Sequence, residues 1–496
     1  MKGIHFQVDT FRTAAVVLAM LALLSAATTR LATAQTYTPL YDFGVGSLYE
    51  TNSFPIGQMA LGRDGNLYGT VQNPNGHSGI YQITPEGSAT VLWADTSSSE
   101  TQCLTGLTLG SDGLFYGTCQ EWGGNNDETG GSGIVFKFDP DSGFTVLYSF
   151  PECNGTGSLY PSALTLGTDG KFYGTTTGNS FCPNPNGTVF TVTPTGTLTT
   201  LHVFKGNGTG DGTSPMGRLT LGADGNFYGT TQEGGNSGYN SGTVFKITPT
   251  GKIKYIYNFA DAGYYPEAGV TQGADGKFYG TTASGGTYGD GTLFQLTASG
   301  KIDYLHNFNY AVDDVDGPIN PLTLGNDGNL YGLANCYPWG CGAESLYEIT
   351  TKGVYTDLYN GFTNPGGACP DQSVTGCALS SPMTLHPNGT FYGTTLQGGD
   401  NGQPVGHGVF YSFRTGLKPY ITLQFPRGTI GSMLGIFGQG LTGTKTVSFN
   451  GVGATFTVVS DTYLTATIPT GATTGYVTVS TPSSTLKSAV KLTVVK

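Results

Sequence analysis

The sequence predicts an all-β protein: a seven-bladed β-propeller closed by its own N-terminal strand, followed by an immunoglobulin-like β-sandwich. Three observations carry that prediction. The string DGKFYGTT occurs twice, at 169–176 and 275–282. Its Asp-Gly pair recurs at Asp64, Asp112, Asp169, Asp224, Asp275 and Asp327, with Asn388-Gly389 as a seventh copy, at spacings of 48 to 61 residues. A period near that length is in the range of propeller blades. The composition agrees, with 80 Gly, 29 Tyr and 27 Phe against only 21 Lys plus Arg. High Gly alone would allow disorder, but disordered chains are poor in aromatics.

In chain order, residues 1–34 are expected to be an export signal. Lys2 and Arg12 precede an apolar run, AAVVLAMLALLSAA at 14–27, that is short for a membrane span. Ala32-Thr33-Ala34 supplies a small-x-small cleavage site. The alternative is an uncleaved anchor. Cleavage would remove Lys2, Arg12, Arg30 and Asp9 and move the net charge from −12 to −14. An acidic chain without a basic run is a poor partner for nucleic acid or anionic lipid. The expected location is therefore secreted or periplasmic, as a monomer, with no membrane insertion after cleavage.

Each repeat over 36–415 contains four strand-like runs. The fourth copy shows them best: LTLG at 219–222, NFYGTT at 226–231, GTVFKITP at 242–249 and KIKYIYNF at 252–259. The Asp-Gly between the first two supplies the positive φ of a hairpin turn. Adjacent Phe227 and Tyr228 point to opposite faces of their strand, so each fits a sheet sandwiched between two others. Gly229 is expected to let a neighbouring backbone approach closely. The fourth-strand pattern is out of phase. Its first copy, TPLYDF at 38–43, precedes the first Asp-Gly, and no good copy follows the last third strand at 410–414. The N-terminal strand is thus expected to complete the last blade and leave no free edge at the seam.

After Arg414 the pattern changes. Residues 418–496 lack the Asp-Gly anchor. Runs such as KTVSFNG, ATFTVVS, YLTATIP and YVTVST alternate apolar and polar residues over short lengths. That predicts an antiparallel sandwich of immunoglobulin size, here without the Cys and Trp of antibody domains.

The pattern LTLGxDGxFYGTTxxGG…GTVFKITPxGxxxxLYxF, clearest at 219–259 and 164–204, resembles the Gly-rich tandem repeats named for Gloeobacter and Verrucomicrobia (GloVer repeats). The resemblance runs from about 36 to 414. It implies a bacterial, exported propeller and no agreed activity. The blade layout is also similar to streptogramin lyase and NHL-type propellers, and more distantly to kelch. Kelch blades carry a fourth-strand Trp, which only Trp93 supplies here. The stretch VSFNGVGATFTVVSDTYLTATIPTGATTGYVTVSTP at 447–482 resembles an IPT/TIG immunoglobulin-like domain, which implies a spacer or interaction module.

Eight cysteines in an exported chain suggest disulfides. Second-to-third-strand loops and blade connections open on one face of a propeller, and all eight lie in or beside them. The local pairs expected are Cys103 with Cys119, Cys153 with Cys182, Cys336 with Cys341, and Cys369 with Cys377. The alternatives are free thiols or a metal site, although no CxxC is present.

The same loop face carries the candidate ligand-binding aromatics Trp122, Trp339, Tyr239, Tyr288 and Tyr265. Amphipathic rings on loops of a rigid scaffold suit the apolar face of a sugar. The competing explanation is that they pack their own loops. His77 and His407 lie in loops of the first and last blades, which closure would make neighbours, and Glu121 is on the same face. The streptogramin-lyase resemblance implies histidines and a carboxylate near a metal, although no lyase motif is present. The alternative is solvated loop histidines. Asp211 in NGTGDG and Asp313, Asp314 and Asp316 in DDVDG suit calcium by composition, but their spacing matches no EF-hand loop and solvated turn aspartates are the alternative. The expectation is a non-catalytic binding or adhesion protein for an extracellular glycan, polymer or protein, without a cofactor. The alternative is a metal-assisted lyase or hydrolase acting on a polysaccharide or cyclic ester.

Overall fold

The structure is a computed structural model that describes residues 35–44, 54–72, 77–95, 105–120, 133–151, 159–178, 184–206, 208–236, 241–260, 263–309, 318–334, 345–359, 377–379, 381–397 and 407–496. The expected signal segment lies outside them. The described residues contain strands and turns and no helix, so no helix is long and apolar enough to cross a membrane.

Seven antiparallel sheets of four or five strands follow one another through residues 36–414, with a two-stranded ladder of Gly212–Thr213 and Glu233–Gly234 beside them. The fourth is typical, with strands Thr220–Leu221, Phe227–Thr231, Thr243–Ile247 and Ile253–Asn258 paired in that order. In the last sheet, Val409–Arg414 pairs with Thr390–Gln397 on one side and with the N-terminal strand Thr36–Asp42 on the other. The chain ends of the ring are therefore zipped together, with Tyr37 opposite Phe413 and Asp42 opposite Val409.

Two repeated contacts join the sheets. The first-strand Thr of one sheet donates its hydroxyl to the carbonyl at the Leu position of the next. Thr108 reaches Leu164, Thr165 reaches Leu219, Thr271 reaches Leu322 and Thr323 reaches Met383, all at 2.5–2.7 Å, and Thr220 reaches Val270 in the same way. Thr384 then reaches Met59 at 2.8 Å and closes the circle. Only the first sheet breaks the series, because Ala60 stands where the others have Thr. The second contact is aromatic. Tyr68 stacks on Phe115, Tyr116 on Phe172, Tyr173 on Phe227 and Tyr228 on Phe278, with centroids 3.8–4.1 Å apart. Each such pair adds about 0.5–1.5 kcal/mol beyond its buried area.

The repeated turn has a second role. Asp224 Oδ1 accepts from the Asn226 N–H, and Oδ2 accepts from the Tyr228 hydroxyl at 2.8 Å. Five other copies make the same Tyr-to-Asp bond at 2.7–3.1 Å. Burial, reinforced by the adjacent carboxylate, pushes these phenols up, so they remain donors.

Gly229 corrects one expectation. A Cβ there would meet the Phe245 ring, 2.5 Å from its Cζ, rather than neighbouring backbone. Phe245 is the directly paired residue on the third strand, so the glycine makes room for the ring that covers it.

The C-terminal region contains two four-stranded sheets. One is ordered Thr422–Leu423, Met433–Phe437, Tyr463–Thr467, Phe456–Val458, and the other Val452–Ala454, Thr446–Phe449, Val477–Ser480, Thr485–Lys487. Leu434, Ile436 and Leu464 of the first and Val447, Phe449 and Val477 of the second share one core. This unit is docked on the Asp-Gly turns. Ser460 and Thr462 donate to the Arg63 carbonyl, the Arg63 guanidinium lies 4.8 Å from the Tyr463 ring, Asn326 donates to Lys418, and Tyr420 donates to the Leu385 carbonyl.

Candidate functional site

The first strands run down the middle of the ring, and the residue preceding each LTLG-type segment faces the space they enclose. Five of those seven positions are Gly, Ala or Pro; the other two are Gln58 and Arg218. Small side chains leave a cavity of about 540 Å³. Met216, 46% exposed, stands at its rim, toward the second-to-third-strand loops.

Arg218 reaches across this space from the fourth sheet. Its Nε donates to Thr165 Oγ1 at 3.2 Å, Nη2 to Thr108 Oγ1 at 3.1 Å, and Nη1 to Gln58 Oε1 at 3.4 Å. One guanidinium thus touches the third, second and first sheets. Every acceptor is neutral. Among the described residues no carboxylate pairs with it. Burial pushes its pKa down to about 10, which still leaves it charged at neutral pH.

Below Arg218 a second cavity of about 340 Å³ is bounded by Leu107, Leu166 and Leu221 of the ring and by Leu423, Pro426 and Phe437 of the C-terminal unit. That unit covers the turn end of the channel.

Two of the five predicted aromatics can be placed. Tyr288 is 57% exposed and Tyr265 38% exposed. Tyr265 has φ +58°, held by its N–H on the Ser241 carbonyl and by the Ala283 N–H on its own carbonyl. Tyr160 and Ser214 occupy the same pre-proline position of their repeats, also at positive φ. The conformation is therefore part of the scaffold, which displays whatever side chain stands there. Trp122, Trp339 and Tyr239 lie outside the described residues.

The histidines do not assemble a metal site in the described part of the chain, where no group of three or more His, Cys, Asp or Glu is gathered. His77 Nδ1 lies 3.8 Å from Asp95. His407 is buried against Phe54, across the seam from its own sheet, at a centroid distance of 6.4 Å. Glu121 lies outside the described residues. Asp211 is buried and takes donors: His202 Nε2 at 3.3 Å from Oδ2, the Lys205 N–H on Oδ2 at 2.9 Å and the Gly212 N–H on Oδ1 at 3.0 Å. Those bonds hold its carboxyl below the usual range against the opposing effect of burial. They lock the turn around Asp211. Asp313, Asp314 and Asp316 lie outside the described residues.

Cys119 is fully buried and disulfide-bonded, and no described cysteine is free. Cys103, Cys153, Cys182, Cys336, Cys341 and Cys369 lie outside the described residues, as do the side-chain surroundings of Cys377.

Sequence reasoning missed Arg218. A signal was present, since it is the one charged residue among the seven that precede an LTLG-type strand. That signal acquires meaning only once those seven positions are known to converge.

No curated protein matches the chain. Solved structures similar to it include a streptogramin B lyase at 17% identity and TM-score 0.49, covering 77% of this chain and 97% of that one. A putative gluconolactonase is similar at 12% identity and TM-score 0.38, covering 78% and 94%. A gluconolactonase from Xanthomonas campestris follows at 15% identity and TM-score 0.37, covering 63% and 90%. Residues 55–274 match the family model of the Gloeobacter/Verrucomicrobia repeat, so that part of the chain is built of repeats of that type.

Proposed function

We propose that the protein is an exported, non-catalytic binding protein: a seven-bladed propeller with an immunoglobulin-like C-terminal domain that takes a glycan or cell-surface polymer on its loop face. The observation that carries this reading is the exposure of Tyr265 and Tyr288 on that face, on loops of a ring tied sheet to sheet. An exposed Tyr presents an apolar ring with a wet hydroxyl, which suits a sugar face. The C-terminal domain, seated on the opposite face, leaves the loops accessible. The test is a glycan array followed by titration of the hits. Wild type is expected to bind, and Tyr265→Ala with Tyr288→Ala to weaken binding about tenfold, or ~1.4 kcal/mol. Failure to bind any sugar or cell-surface polymer would count against the reading.

A second reading, a metal-assisted lyase or hydrolase, keeps one supporting observation. His407 Nδ1 is buried without a hydrogen-bond partner among the described residues. Turnover of a polysaccharide or cyclic ester that is lost in His407→Gln would favour it.

A further inference from the structure

The channel contains a charge that no carboxylate among the described residues balances. A guanidinium has five N–H donors. Three of Arg218's are engaged, all by neutral oxygens, and one on each Nη remains. A guanidinium N–H donates well to an oxyanion. The joining scheme of the ring does not require the arginine, since the corresponding residue in other sheets is Gly, Ala, Pro or Gln. The cavity above it, about 540 Å³, lies within the roughly 300–1,000 Å³ typical of small-molecule sites. On its other side the C-terminal unit lines a second cavity, with Leu423, Pro426 and Phe437. In an acidic chain, a cation that no carboxylate among the described residues meets suits a ligand chosen by charge.

We propose that this channel binds the acid group of a small anionic ligand, a sugar acid or sugar sulfate, with the Arg218 guanidinium as its cation. The sugar part rests on the glycan reading above; the acid part stands on the channel alone. Gln58 and the channel-lining Thr105 and Ser162 add polar groups beside that cation. Met216 stands at the entrance.

The test uses the full-length protein, titrated calorimetrically with glucuronate, glucose and inorganic sulfate at matched ionic strength, with melting temperature followed in parallel. Glucuronate is expected to bind and raise the melting temperature, as any ligand of the native state does. Glucose is expected to do neither. Arg218→Gln should abolish the glucuronate response. Met216→Trp, which narrows the entrance and leaves Arg218 in place, should weaken it tenfold or more. Binding of sulfate without glucuronate would keep the oxyanion site and overturn the sugar-acid assignment. No response to either anion, or an undiminished response in Arg218→Gln, overturns the site. If Arg218→Gln does not fold, unchanged glucuronate affinity in Met216→Trp overturns it instead. Glucuronate binding without any neutral glycan on the array would sink the aromatic-loop reading and leave the channel standing. The reverse result would sink the channel alone.

Discussion

The two faces of the ring are built on opposite principles. On the turn face the seven copies are nearly identical: an Asp or Asn, a Gly at positive φ, and a Tyr whose hydroxyl meets the Asp or Asn side chain. On the loop face the copies differ in length and composition, and adjacent repeats place Tyr160, Ser214 and Tyr265 at one equivalent position. The uniform face is the one that the C-terminal unit covers. The variable face is the opposite one, and Met216 and Tyr265 stand exposed on its side. Uniformity therefore marks the surface that carries stability, and variation marks the surface available for a ligand.

The largest test of this contrast removes what holds both faces together. Deleting Thr36–Asp42 strips the last sheet of its outer strand and unstacks Tyr37 from Tyr359, 4.8 Å apart. The expected loss is several kcal/mol, comparable to the whole margin of a marginally stable domain. Urea unfolding measures it, and an unchanged midpoint means that the seam does not depend on this strand.

A paired substitution comes next. Asp224→Ala leaves the Tyr228 hydroxyl and the Asn226 N–H without their acceptor and should cost about 1–3 kcal/mol. Tyr288→Ala on the loop face should stay within about 0.5 kcal/mol. Equal costs at the two sites would erase the distinction between the faces.

The smallest effect is a pH dependence at the one irregular turn. In the seventh copy His386 replaces the Gly that precedes the turn elsewhere, and it is fully buried. Its Nε2 lies 3.0 Å from the Gly65 carbonyl, and its Nδ1 accepts from the Asn388 N–H. That is a neutral imidazole with its proton on Nε2, and burial holds its pKa below the ordinary 6.5. With the folded value depressed, the unfolded chain binds more protons just below pH 6.5, so stability falls as pH drops through that point. His386→Gln should flatten the melting-temperature profile between pH 7 and pH 5. An identical slope in the variant would show that the seam histidine is not the sensor.

Much of this architecture was legible along the chain. The turn and strand limits around 219–259 follow from Asp-Gly chemistry and alternation. The out-of-phase strand at the N-terminus followed from counting copies. Gly229 was assigned the wrong neighbour because its clearance is used by Phe245, a partner that only strand register identifies. Met433–Phe437 escaped the alternation rule because four of its five residues are buried, so no polar face marks it.

The sequence by itself determined the repeat, its turns, its four strands and the need for a closing strand. Those depend on local φ preferences and on side chains alternating along a strand, which a linear chain displays. Only the tertiary structure decided that seven separated positions enclose one channel, that Arg218 crosses it to Thr108, Thr165 and Gln58, and that the C-terminal unit lines one end. Those are contacts between residues 53 to 160 positions apart. Curvature of the ring sets them, and no local pattern encodes where a closed ring brings its inner edges together.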